Sequence, residues 1–101
     1  MYEIEWSEEA EADFRVLPLF VRGPVVVAAV EELRYQAETE TRNRKRLREP
    51  LDALIEAEWS VRVGDHRVLY RVVEGHAVQV LRVILKGTDT MDEALARSMK
   101  R

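Results

Sequence analysis

The sequence contains no cysteine among its 101 residues, and it contains only two histidines, His66 and His76. Without cysteine there is no disulfide framework, no thiolate chemistry and no zinc knuckle. Two histidines are too few for a histidine-based metal site, and no acidic loop has the spacing of a calcium site. We therefore expect neither a metal nor another cofactor.

Long apolar runs are also missing. The longest extends only from Val25 to Val30, whereas a transmembrane helix needs about 20 apolar residues. The opening residues, MYEIEWSEE, are acidic and alternating, unlike a secretory signal with its basic start and apolar middle. We therefore expect a cytoplasmic protein without a membrane partner, and a chain of this length predicts one domain over residues 1–101.

Charge is distributed unevenly along the chain, whose formal net charge is −3. Residues 1–41 contain ten acidic and three basic residues, whereas residues 42–86 contain ten basic and six acidic residues. Five of these cations fall within residues 41–48, TRNRKRLR. Most charge runs are solvated loops, but a basic patch matters more for an anionic partner than the total charge does.

Alternating apolar and polar residues predict four strands, over residues 2–6, 59–63, 66–73 and 76–86, with turns at Gly64-Asp65 and Glu74-Gly75. Ser7 precedes a helical repeat that Pro18 ends. A second helix is predicted to follow the break at Gly23-Pro24 and to end near residue 38. Residues 40–57 are irregular and charged.

An amphipathic tail with Met91, Leu95 and Met99 on one side predicts a C-terminal helix. The order of elements is therefore β-α-α-β-β-β plus this helix. It predicts an α+β fold, in which a helical hairpin covers one face of a small, mainly antiparallel sheet.

Period-two counting places cations on the uncovered face of this sheet. The apolar sets of the strands, with Tyr2, Ile4 and Trp6, should face the helices. On the last strand this set is Leu81, Val83 and Leu85, so Val78, Val80 and Ile84 should point to the other side. On the three strands of the predicted meander, that opposite face carries no acid, and it carries five cations: Arg62, Arg67, Arg71, Arg82 and Lys86. An uncovered face is polar in any case, and one β-bulge would flip part of this count. Unbalanced like charges nevertheless favour a surface that binds phosphate or a partner's carboxylates.

Three segments in this order, TRNRKRL, RVGDHRVLY and VQVLRVILK, resemble the RelE/ParE superfamily of toxins from microbial type II toxin–antitoxin modules. The resemblance covers almost the whole chain, with His66 where an aromatic residue is usual. It implies the RelE/ParE-like fold and a cytoplasmic toxin that a tightly bound antitoxin neutralises. RelE-like members cut messenger RNA in the ribosomal A site without a metal, whereas ParE-like members poison DNA gyrase. A shared fold does not choose between these targets.

RNA cleavage of the RelE-like kind needs cations around the phosphorane, a base for the 2′-hydroxyl and an acid for the leaving oxygen. The resemblance implies that Arg62, Arg67 and Lys86 are the catalytic cations. The other candidates for binding RNA or another anion are Arg42, Arg44, Lys45, Arg46, Arg48, Arg71 and Arg82.

Proton transfer has no assigned residue. Gly87 follows Lys86 where ribosome-dependent members carry an arginine, and the tyrosine that they carry near the C-terminus has no counterpart here. Ser60 stands where a second lysine is found in the family. Arginine stays protonated and is a poor base. Structural or solvated roles are expected for the remaining groups that titrate: His66, Tyr70, Glu58 and Lys45.

Three functions remain open at this point. The first is a RelE-like, ribosome-dependent messenger RNA endonuclease that inhibits translation. The second is a ParE-like gyrase inhibitor, which acts by binding and needs no catalytic acid or base. The third is a non-catalytic module whose basic face grips an acidic antitoxin segment.

Overall fold

The computed structural model describes residues 1–47 and 56–85 of the chain. These residues form two helices, α1 (Glu8–Arg15) and α2 (Leu19–Gln36), and five strands, β1 (Glu3–Trp6), β2 (Arg44–Arg46), β3 (Trp59–Val63), β4 (His66–Val73) and β5 (Ala77–Leu85). Neither described helix is long and apolar enough to cross a membrane. Arg48, Lys86 and the predicted C-terminal helix lie outside the described residues.

The described strands form one mixed sheet in the order β1-β5-β4-β3-β2. Strand β1 is parallel to β5, and the other neighbours are antiparallel. The predicted α+β fold with a helical hairpin on a mainly antiparallel sheet is therefore confirmed. Strand β2 was not predicted, because three residues are too few to show an alternating pattern.

Helix α1 begins where the sequence predicts. Ser7 is its N-cap, with the side-chain oxygen accepting a hydrogen bond from the backbone N–H of Ala10 at 3.1 Å. Glu8, Glu9 and Glu11 lie in the first turn, where carboxylates complement the helix dipole. Such a cap stabilises a helix by about 1 kcal/mol.

Helix α2 does not begin after Gly23-Pro24, as the sequence predicts, but at Leu19, with Pro18 as N-cap. Pro24 lies inside the helix, one turn after its start. Proline there removes one hydrogen bond, to the carbonyl of Phe20. Both Phe20 and Pro24 are exposed, so water can replace that bond, and the helix continues through the proline.

The main core lies between the helices and one face of the sheet. Its buried residues on α2 are spaced four apart, at Val25, Ala29 and Leu33. Tyr70 is fully buried there, as expected, and its hydroxyl donates to the carbonyl of Ala37 at 2.6 Å. Desolvation raises the pKa of Tyr70, so the phenol stays neutral.

A β-bulge corrects the predicted faces of β5. Leu69 pairs with Arg82 but Tyr70 pairs with Val80, so Leu81 is the extra residue. Before the bulge, Val78 and Val80 face the helices rather than the uncovered side. Leu81 instead packs on the opposite face, in a second small cluster with Ala57, Leu69, Ile84 and Leu47.

Candidate nucleic-acid interface

Three cations lie side by side on the sheet face opposite the main core. Lys45 on β2 is opposite Ser60 on β3, and Arg62 on β3 is directly opposite Arg67 on β4. Adjacent strands are about 4.8 Å apart, so the three side chains share one surface, which we call the basic face. Lys45 and Arg62 are exposed, and Arg67 is partly buried.

Backbone carbonyls at the β3–β4 turn orient the two arginines. Arg62 donates its Nε–H to the carbonyl of Gly64 at 3.2 Å, and Arg67 donates from Nη1 to the carbonyl of His66 at 3.2 Å. Burial lowers the pKa of Arg67, the charge of Arg62 lowers it further, and Asp65 opposes both effects. Among residues 1–47 and 56–85, neither guanidinium forms a salt bridge. The two guanidinium groups therefore repel each other, and this repulsion favours the binding of an external anion between them.

Arg44 does not belong to this surface, although it was predicted to bind an anion. Its side chain is fully buried, and its guanidinium forms an ion pair with Glu32 of α2. The guanidinium also donates to the carbonyls of Glu32, at 2.6 Å, and Thr39, at 3.0 Å. Arg44 and Lys45 are consecutive on a strand, so their side chains point to opposite faces.

Arg82 is a second correction. It pairs in register with Leu69, on the predicted face, but its side chain is only 10% exposed and is ion-paired with Asp13 of α1. An arginine held in this way is not available to a ligand.

Arg71 is partly neutralised. It donates to Gln79 at 2.7 Å and forms a salt bridge with Glu56 at 2.5 Å. The prediction considered only acids on the central strands, and Asp13 and Glu56 approach Arg82 and Arg71 from segments outside them.

The rest of the basic run is divided between other environments. Arg42 is exposed in the turn before β2. Arg46 is exposed and pairs with Trp59, so it lies at the helix-covered side of the edge strand. Its guanidinium lies 5.6 Å from the centroid of the Trp59 ring, in cation–π contact. The described part of the run, residues 41–47, is thus partly a turn and partly an edge strand, and its cations do not form one continuous patch.

The groups considered for proton transfer are mostly engaged elsewhere. His66 lies on the helix side, in a cavity with Phe20 and Val25, and burial lowers its pKa. Tyr70 is in the core, and a carboxylate oxygen of Glu58 accepts from the backbone N–H of Val72 at 3.4 Å. Lys45 is the member of this group that lies on the basic face.

Sequence reasoning missed two carboxylates that pair with arginines, the buried Asp13 and the partly exposed Glu32. A signal existed for Asp13, because it follows Ala10 by three residues and precedes Leu17 by four, on the apolar side of α1. Glu32 directly precedes buried Leu33 and had no such signal. The chemistry left on the basic face is that of a phosphate-binding surface: two guanidinium groups and one ammonium group on adjacent strands.

The chain is similar to known toxins both in sequence and in structure. The family model described as "ParE toxin of type II toxin-antitoxin system, parDE" matches residues 4–89. No curated protein sequence matches significantly.

Among solved structures, a chain of the toxin–antitoxin complex RelBE2 from Mycobacterium tuberculosis is 31% identical, with a TM-score of 0.64 over 81% of this chain and 94% of that one. A chain of the archaeal RelE–RelB complex from Pyrococcus horikoshii is 18% identical, with a TM-score of 0.64 over 86% and 97%. The isolated RelE toxin of E. coli is 23% identical, with a TM-score of 0.58 over 100% and 98%. The last two show the fold alone. By the extent of the family match and the identity to the RelBE2 chain, this protein belongs to the RelE/ParE superfamily of toxins of type II toxin–antitoxin systems.

Proposed function

We propose that this toxin inhibits translation by binding messenger RNA at the ribosome through the basic face and cutting it there. The observation that carries the proposal is the pair Arg62 and Arg67, directly opposite each other on β3 and β4. Two like charges in that arrangement are destabilising unless an anion lies between them. The 31% identity to a chain of the RelBE2 complex favours the RelE-like branch.

In the cleavage step, the ribose 2′-hydroxyl loses its proton to water and attacks the adjacent phosphorus, while the bond to the 5′-oxygen of the next nucleotide breaks and that oxygen takes up a proton from water. The products are a 2′,3′-cyclic phosphate and a 5′-hydroxyl. Arg62 and Arg67 would stabilise the negative charge on the phosphorane oxygens through fixed donors. Lys45, on the neighbouring strand, would hold the same or the neighbouring phosphate. Lys86 and Arg48 lie outside the described residues, so their contribution stays a prediction from the sequence.

A cognate antitoxin is the second proposed partner. The RelBE2 and RelE–RelB structures are named as toxin–antitoxin complexes, which supports a protein partner for this chain as well. An acidic antitoxin segment would neutralise the same cations that bind phosphate, and it would thereby compete with RNA. We place both activities in the cytoplasm, where ribosomes are found.

Controlled expression of the chain without an antitoxin tests this function. We expect protein synthesis to stop and transcripts to acquire ribosome-dependent cuts. The double variant Arg62→Gln/Arg67→Gln should lose both effects. A matched control, Arg15→Gln/Arg34→Gln, removes the same charge from exposed helix positions and should remain toxic. Equal toxicity of the two double variants would contradict a role for the basic face.

Gyrase inhibition is the second candidate, and the match to the ParE family model favours it. A binding toxin of this kind needs no group for proton transfer, which agrees with the structural roles of His66 and Tyr70. Gyrase-trapped DNA breaks with intact transcripts would select this function over RNA cleavage. Absence of any growth defect would leave only antitoxin binding.

A further inference from the structure

We propose that Arg44 is a positioning residue: its buried guanidinium ties the edge strand β2 to the C-terminal end of α2 and thereby holds Lys45 on the basic face. The inference about RNA rests on the proposed function, whereas the inference about the strand stands without it.

The end of α2 provides a dense set of acceptors for Arg44. Its guanidinium contacts the Glu32 carboxylate and the carbonyls of Glu32 and Thr39. The negative end of a helix dipole favours a cation at this place. Its two terminal nitrogens donate in different directions, Nη2 to Glu32 and Nη1 to Thr39, so these contacts restrain β2 more tightly than an apolar side chain would.

Strand β2 needs such a restraint. It has three residues and lies at the edge of the sheet, pairing with β3 on one side. Among the described residues, the chain before it is held locally by Thr41, whose hydroxyl accepts from the backbone N–H of Arg44 at 3.1 Å. Short edge strands with one neighbour open easily. Lys45 lies at the centre of β2 and moves wherever the strand moves.

The restraint also reaches the rest of the basic face. The backbone N–H of Arg62 donates to the carbonyl of Asn43 at 2.7 Å, and that of Leu47 donates to Glu58 at 2.8 Å. These two bonds bracket β2 and couple it to β3. If β2 separated from β3, Lys45 would therefore be displaced, and the backbone N–H of Arg62 would lose its hydrogen bond to Asn43.

Residue-resolved hydrogen exchange of the purified protein tests the tether directly. Arg44→Met should speed exchange of the Arg62 and Leu47 amides by roughly tenfold or more. The amide of Glu58, which donates to Tyr70 between β3 and β4, should stay protected. Arg44→Lys keeps the charge but loses the forked geometry, and it should give an intermediate result.

Controls separate this effect from loss of the fold. Glu31→Gln removes an exposed neighbour of Glu32 and should leave all these amides protected. If Arg44→Met is unfolded, Glu32→Leu/Arg44→Met replaces the ion pair by apolar groups, so that no partner is left uncompensated. Unchanged protection of Arg62 and Leu47 in a folded variant would overturn the tether.

A double-mutant cycle tests the effect on the basic face, with a ten-nucleotide polyuridine as the probe. Lys45→Gln should weaken binding roughly threefold in the otherwise natural chain. It should have almost no effect in the Glu32→Leu/Arg44→Met background, because Lys45 is already displaced there. An equal loss in both backgrounds would overturn the positioning role. If the natural chain does not bind the probe, the proposed RNA function fails, and the exchange experiment still decides whether Arg44 holds β2.

Discussion

The guanidinium of Arg82 forms a two-point ion pair with the carboxylate of Asp13, with Nε–Oδ2 at 2.6 Å and Nη2–Oδ1 at 2.9 Å. The backbone N–H of Val83 donates to the same carboxylate at 2.9 Å. Strand β1 ends at Trp6, opposite Val80, so this part of the β5 edge lies beyond the end of β1. Asp13 thus provides the acceptor that a neighbouring strand would have provided, and it docks α1 against the sheet.

Replacing Asp13 by Ala should therefore destabilise the protein strongly. The change leaves a buried guanidinium and a strand N–H without this acceptor, and loss of one partner of a buried pair costs about 3–5 kcal/mol. Urea denaturation followed by circular dichroism measures the loss. Glu9→Ala, at an exposed position of the same helix, should change stability by at most about 1 kcal/mol. Equal effects of the two changes would contradict the docking role.

The elements that the sequence predicted are those with local causes. The Ser7 cap depends on the acceptor oxygen of one side chain. The β3–β4 turn depends on Gly64, which has a φ of +61° that glycine adopts without strain. Both the cap and the turn depend on residues that are close in sequence, so the helical periodicity and the turn residues were enough to predict them. The fold class followed from the order of these elements, and the family resemblance, which covers segments along most of the chain, implied the same fold.

The features that the sequence did not predict depend on distant partners. Arg44 and Glu32 are twelve residues apart, and Asp13 and Arg82 are 69 apart. No pattern within one strand shows that a cation there will pair with a carboxylate on a helix. The bulge at Leu81 likewise exists only in the pairing of β5 with β4. The predicted basic face therefore contained Arg62 and Arg67, but it also contained the ion-paired Arg82, and it left out Lys45, whose strand β2 was not predicted.

His66 should make stability depend on pH on the acidic side. Burial lowers its pKa in the folded protein, with Asp65 opposing this effect, whereas an unfolded histidine titrates near pH 6.5. Below about pH 6.5 the unfolded chain therefore binds more protons. The stabilising contribution is fully present above that pH and is lost as the pH falls through the folded pKa.

Chemical denaturation at a series of pH values tests this expectation. His66→Gln should remove part of the loss of stability below about pH 6.5. His76→Gln, at an exposed position in the β4–β5 turn, should retain the pH dependence of the natural chain. Identical pH dependence in the two variants would show that His66 is not responsible.

Two glycines should respond differently to alanine. Gly64 has a φ of +61° in the β3–β4 turn, where an added Cβ is strained, so Gly64→Ala should destabilise by about 1–2 kcal/mol. Gly23 lies within α2, where alanine gains about 0.5–1 kcal/mol over glycine, but the ring of Pro24 directly after it crowds a Cβ on a helical residue. The two effects oppose each other, so Gly23→Ala should destabilise much less than Gly64→Ala. Thermal melts compare the two variants directly. Equal destabilisation by the two changes would contradict the strained turn at Gly64.

Repulsion between the cations of the basic face should lower the stability of the free protein. Because Arg62 and Arg67 are directly opposite, Arg62→Gln should raise the free energy of unfolding by about 0.2–1 kcal/mol. The gain should be larger at low salt, since added salt screens the repulsion in the natural chain. Urea denaturation at low and high sodium chloride measures both effects, with Arg34→Gln as the control for total charge. The same Arg62→Gln protein should bind polyuridine more weakly than the control does. A variant that becomes more stable while losing affinity would show that the two arginines are kept together for their ligand, because packing alone would favour their separation.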